Sequence, residues 1–183
     1  MKVKNLVIHP EDKSTTFLSP IYKNAHNKRV LSKDSSIQEV HDLIKTSGRA
    51  LMMGHGSPSG LFSIGRFKDA MGLVIGRSAV ELLKDKPENI YIWCNADRFV
   101  EPNNLRGFYS GMFISEVGEA MYCGVKGVTQ EIVDESNDTF AEIVGKYIHL
   151  PVAELYEKVK EEYGKLAETN PVAKYNHERL YLR

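Results

Sequence analysis

Ala50-Leu51-Met52-Met53-Gly54-His55-Gly56 opens as an unbroken apolar run and closes on a histidine held between two glycines. A short continuous apolar run bounded by turn residues is the pattern of a strand buried on both faces, as in a parallel sheet. A second run of this kind, Ile90-Tyr91-Ile92-Trp93-Cys94-Asn95-Ala96, ends on a cysteine. In an open α/β sheet, ligands bind just beyond the carboxyl ends of the strands. If the two runs are neighbouring strands, His55 and Cys94 sit side by side at that edge. An imidazole beside a thiol favours the thiolate, which is the nucleophilic form.

Outward from these runs, strand and helix patterns alternate, which predicts an α/β domain with a mostly parallel sheet. Upstream, Lys4 to His9 reads as a strand, Thr15 to Asn24 as a helix and Arg29 to Leu31 as a short strand. Ser36-Ile37-Gln38-Glu39 has the form of a capping box, and helical spacing then runs to Gly48. Between the two runs, the glycine-rich segment Gly60 to Ile75 reads as a small hairpin, and Ser78-Ala79-Val80-Glu81 as a second capping box opening a helix to Lys86. Downstream, Leu105 to Glu116 reads as a helix and Glu119 to Val125 as a fifth strand. Helices are expected over Asp138 to Tyr147 and from Pro151 onward, broken at Asn170-Pro171, with a last strand over Glu178 to Leu182.

The chain has 183 residues, 42% of them hydrophobic, which is enough for one core and predicts a single domain over 1–183. Its 24 basic and 24 acidic residues balance, with no basic block, so neither nucleic acid nor an anionic membrane is an expected partner. No secretory leader is expected from the opening residues, no apolar stretch has membrane length, and the two cysteines, Cys94 and Cys123, have no metal-ligand spacing. The expectation is a cytoplasmic protein with reduced thiols, no metal and no cofactor.

Singly, the two residues are ordinary. A cysteine at a buried strand end is more often a small core residue than a nucleophile, and a histidine before glycine is often a turn residue. Their joint placement gives them weight. His9, ending the first strand, is a second choice for the imidazole; Cys123 reads as core. Asp97 and Arg98 read as a solvated loop pair, and His26, His41, His149 and His177 carry no motif. Gly54 to Gly60 lacks the lysine of a P-loop and the spacing of a dinucleotide fold. Pro58 stands where a nucleophile elbow needs its serine.

The order strand, helix, strand, helix, strand–His–Gly, hairpin, helix, strand–Cys resembles that of the caspase-like (clan CD) cysteine peptidases, a group that includes clostripain-like and CHAT domains. The resemblance spans about residues 3 to 125 as an order of elements and rests specifically on His55, Gly56 and Cys94. It implies a three-layer αβα sandwich acting on a peptide or protein substrate. In that reading Cys94 is the nucleophile and His55 the acid/base, and the backbone N–H groups of Gly56 and Cys94 form an oxyanion hole. The chain departs from the family pattern at Trp93, where a small residue usually precedes the cysteine. The alternative is a catalytically inactive caspase-like fold that binds a protein or ligand, with Cys94 packed under Trp93.

Overall fold

The computed structural model describes residues 4–183. Its centre is a six-stranded sheet built from β1 (Asn5–Ile8), β2 (Lys28–Leu31), β3 (Arg49–Met53), β7 (Ile90–Ile92), β8 (Phe108–Ser110) and β9 (Leu180–Leu182). The spatial order is β2-β1-β3-β7-β8-β9, parallel throughout except for β9, which runs antiparallel to β8. A separate antiparallel sheet of β4 (Gly56–Ser57), β5 (Gly60–Phe62) and β6 (Leu73–Ile75) follows directly from the end of β3.

Side-chain alternation along the strands divides the core into two layers. Leu6 and Ile8, Ala50 and Met52, and Tyr91 and Trp93 face one side, where α2 (Ile37–Thr46), α3 (Val80–Leu83) and α4 (Asp97–Val100) supply Val40, Ile44, Leu83 and Phe99. Val7, Leu51, Met53, Ile90 and Ile92 face the other, against α1 (Ser19–Lys23), α6 (Gln130–Tyr147) and α7 (Val152–Ala167). The central strands are buried on both faces, which is why they appear in the sequence as unbroken apolar runs and not as alternating ones. With α5 (Val117–Tyr122) and α8 (Pro171–His177) the described residues form eight α-helices, an arrangement compatible with a three-layer sandwich. No described helix is long and apolar enough to cross a membrane.

The first expected capping box is half formed: Ser36 Oγ accepts the Glu39 amide hydrogen at 3.1 Å, while the Glu39 carboxylate pairs with Arg29 at 3.4 Å. The second does not form at all, because Ser78 falls inside a 3₁₀ turn and α3 has no side-chain cap. The Thr15 to Asn24 stretch divides into a 3₁₀ segment, Lys13–Leu18, and the short α1. A larger correction concerns residues 105–125. The expected helix is the strand β8, with Phe108 and Tyr109 buried on opposite faces of the sheet, and the expected fifth strand is the helix α5. A three-residue run between glycines does not distinguish strand from helix by periodicity. α5 is opened by a reciprocal capping box between Glu116 and Glu119. That box returns Glu119 toward the carboxyl edge of the sheet.

Candidate functional site

β3 and β7 are parallel neighbours, with β1 on the far side of β3. Their pairing ends at Met53↔Ile92, and two residues further along each chain lie His55 and Cys94. Gly54 continues the ladder by donating its N–H to the Ile92 carbonyl at 3.1 Å. Its φ of 138° then turns the chain out of the strand, a conformation that glycine adopts without the Cβ clash other residues suffer. Asn95, with φ 63°, makes the corresponding turn after Cys94 and donates to the Gly111 carbonyl at 3.0 Å. His55 and Cys94 both line one narrow cavity of ≈ 20 Å³, together with Thr15, Phe17, Phe113 and Ser115. That volume holds about one water molecule.

The two side chains are not hydrogen-bonded to each other. His55 Nε2 lies 2.7 Å from Ser14 Oγ and 3.6 Å from the Asp12 carboxylate. Asp12 caps the 3₁₀ segment: its Oδ1 accepts from the Ser14 amide at 2.8 Å and the Ser14 hydroxyl at 2.6 Å, and these bonds hold its pKa below the ordinary carboxylate value. With the Ser14 hydroxyl donating to Asp12, its oxygen is left to accept from the Nε2–H of His55. Ser14 thus bridges carboxylate and imidazole.

Cys94 faces away from this group. Its thiol donates to the Phe113 carbonyl at 3.3 Å and lies 3.8 Å from Glu119 Oε1. The other carboxylate oxygen of Glu119 accepts from Ser115 N (2.7 Å), Ser115 Oγ (3.0 Å) and Glu116 N (3.1 Å), so the carboxylate is fixed in place. Burial, then the negative charge of Glu119, pushes the Cys94 pKa up to about 12. In this arrangement the sulfur is a neutral thiol.

Trp93 does not cover Cys94. It points to the opposite face of the sheet, 1% exposed, with its ring set edge-on to Tyr91 and tilted against Phe99. Its Nε1 donates to the Ser57 carbonyl at 3.1 Å, and its ring presses on the Gly56 backbone. A Cβ at Gly56 would stand 2.2 Å from Trp93 Cδ1 and 2.7 Å from the Gly60 carbonyl oxygen. Glycine is therefore required at 56 by the indole.

His9 does reach the same edge, but both of its ring nitrogens are engaged, with Tyr22 Oη at 3.0 Å and Thr15 Oγ1 at 3.1 Å. Burial lowers its pKa to about 4, so it is a neutral structural imidazole. Cys123 ends α5 and packs half-buried against Ile114, Ala120, Val133 and Val172. Among the described residues, no group of three or more His, Cys, Asp or Glu is arranged to hold a metal ion.

Asp12, Ser14, Ser115 and Glu119 were not singled out from the sequence. The signals were there in weak form: Asp12-Lys13-Ser14 before an apolar segment is an N-cap pattern, and Glu116 and Glu119 stand at capping-box spacing. A roomier cavity of ≈ 340 Å³ opens at the opposite, amino edge of the sheet, where buried Arg49 donates to the Ile148 and Leu150 carbonyls beyond the end of α6. Among the described residues its lining contains no cysteine, serine or threonine. Known protein-family models do not match the chain, and no curated protein is detectably similar to it in sequence.

Proposed function

We propose that the chain is a cysteine-dependent hydrolase of caspase-like type, acting on peptide bonds and held here in a resting arrangement. One observation carries this reading: His55 and Cys94 occupy equivalent positions beyond adjacent parallel strands and line the same cavity. The order of elements supports it as well, including the antiparallel hairpin between the histidine and the helix that precedes the cysteine strand. In the working state the Cys94 thiol gives its proton to His55 and its sulfur attacks the carbonyl carbon. His55 then protonates the departing amine, and water hydrolyses the thioester. For this the thiol has to leave the Phe113 carbonyl and Glu119, and His55 has to leave Ser14. Catalytic hydrogen bonds that are long or misaligned without substrate and tighten on binding are common among enzymes.

The observation that favours the inactive, ligand-binding reading is the same pair of bonds on the thiol. The two readings separate in one experiment: a library of peptidyl-coumarin amides offered to wild type, Cys94→Ala and His55→Ala. Cleavage by wild type alone supports the hydrolase. No cleavage by wild type, with Cys94→Ala clearly lowering the melting temperature, makes Cys94 a packing residue.

A further inference from the structure

The ≈ 340 Å³ cavity at the amino edge of the sheet is built around an arginine with no acid to pair with. Arg49 opens β3 and is 8% exposed. Its Nε donates to Asn5 Oδ1 at 2.6 Å, and its two terminal nitrogens donate to the Ile148 and Leu150 carbonyls. Asn5, also buried, is locked in turn by donating its Nδ2 hydrogen to the His26 carbonyl at 2.6 Å. These bonds use three of the five guanidinium N–H groups and leave one on each terminal nitrogen. All three acceptors are neutral, and among the described residues Arg49 forms no ion pair. Glu88 lines the same cavity without reaching it, and its Oε2 accepts the Val152 amide hydrogen at 2.8 Å. Burial pushes the Arg49 pKa down, and the charge of Glu88 offsets only part of that. A buried guanidinium is rarely left without a carboxylate, because removing its water is costly.

The rest of the lining fits an anion with an apolar body. Lys4 adds a second positive charge at the exposed rim, where His26 and His149 also stand, and Ala25, Ile148, Leu150 and Pro151 supply apolar wall. A mostly apolar concavity with a few fixed polar groups is the usual form of a small-molecule site. The polar groups here are fixed, since Asn5 and Arg49 are paired residues at the start of the β1–β3 ladder. We propose that this cavity binds a small organic carboxylate, its anion on Arg49 and its apolar part against Ile148 and Leu150. A carboxylate accepts two N–H bonds from one guanidinium, the number that Arg49 has left. An inorganic anion would answer the charge and leave the apolar wall facing water. The site lies at the opposite edge of the sheet from His55 and Cys94 and does not depend on the hydrolase reading.

The test is a titration of the full wild-type chain with benzoate, its neutral isostere benzamide and inorganic phosphate at constant ionic strength, followed by amide NMR shifts of Gly48, Arg49, His149 and Leu150. Benzoate should give saturable shifts with a dissociation constant on the order of 1 mM, the scale reached by so small a ligand. It should also raise the melting temperature, because it binds the folded chain alone. Benzamide and phosphate should each bind at least roughly tenfold more weakly, for want of the charge in one and of the apolar body in the other. Arg49→Lys keeps the charge but loses the planar fork and should weaken benzoate roughly tenfold. If that variant does not fold, His149→Glu at the exposed rim should weaken it comparably, by setting a like charge against the ligand. No saturable shift with benzoate, benzamide or phosphate matching it, or wild-type affinity in a folded variant each overturns the proposal. Arg49 would then serve only to hold the turn between α6 and α7 against the sheet.

Discussion

The ends of β3 and β7 are adjacent, in register and built in opposite ways. At β3 the chain leaves the sheet through a left-handed glycine, and His55 emerges with about a third of its side chain open to solvent (32%), against a serine and a carboxylate. At β7 the chain turns through Asn95, and Cys94 is folded inward under a backbone carbonyl and a fixed carboxylate. The imidazole is open to solvent, whereas the thiol is in a place that suppresses its ionisation. The difference teaches that strand topology alone can bring two reactive groups together without arming them. What arms or disarms them is the layer outside the sheet, namely the Asp12–Ser14 cap on one side and the α5 capping box on the other.

The most severe way to break this contrast is to remove the side chain that joins the two ends. Trp93→Ala should cost about 3–5 kcal/mol, the usual range for emptying a fully buried aromatic site. Urea unfolding measures it, and the amides of β4 and β5 should lose hydrogen-exchange protection first, because the indole's bond to Ser57 anchors them. Equal loss of protection across the central sheet would mean that Trp93 is only general core.

The next effect concerns pH and uses His9 as the buried counterpart of His55. Its folded pKa lies near 4, below its ordinary value of 6.5, so the unfolded chain takes up the proton first. The stabilising contribution is present above pH 6.5 and is lost as pH falls toward 4, amounting to about 3 kcal/mol. The groups facing the ring are Thr15, Tyr22, Asp12 and His55. Stability measured across this window should flatten in His9→Gln; an unchanged slope would assign the acid sensitivity elsewhere.

Glu119→Gln sharpens the thiol side. Removing the charge lowers the Cys94 pKa from its raised value, and burial keeps it above that of a free cysteine. Alkylation of Cys94 by iodoacetamide at fixed pH should accelerate roughly three- to tenfold, since rate follows thiolate fraction and a tenfold change corresponds to one unit of pKa. The smallest effect is expected from His55→Ala in the resting protein: less than about a twofold change in the same alkylation rate, because His55 is committed to Ser14. A large drop would show that the imidazole already acts on the thiol without substrate.

The strands of the sheet's centre were legible because each is buried on both faces, so Leu6-Val7-Ile8, Ala50 to Met53 and Ile90 to Ile92 leave an unbroken apolar trace. The neighbouring placement of His55 and Cys94 followed from that trace and from the rules for parallel sheets. Residues 105–125 were not legible. Phe108 and Tyr109 are too few to display a period, and α5 buries only Ala120, leaving Met121 and Tyr122 exposed as no core-forming helix would. Nor was the outer layer: Ser14 meets His55 across 41 residues of sequence and Glu119 meets Cys94 across 25. Contacts at such separation depend on how loops close over the sheet, and no local pattern encodes that.

A strand at the margin of the sheet has its own consequence. β2 forms one margin of the sheet, and Lys28, Arg29 and Val30 are exposed along it while only Leu31 is buried. A bare margin is an open template for another chain's backbone, and flanking cations are a standard deterrent. Two copies meeting there in antiparallel fashion would have to bring their own Lys28 and Arg29 together out of water. Strand-to-strand stacking of this protein into fibrous assemblies is thereby disfavoured at that margin, leaving the opposite end of the order, β9, as the one to examine in any aggregation-prone variant.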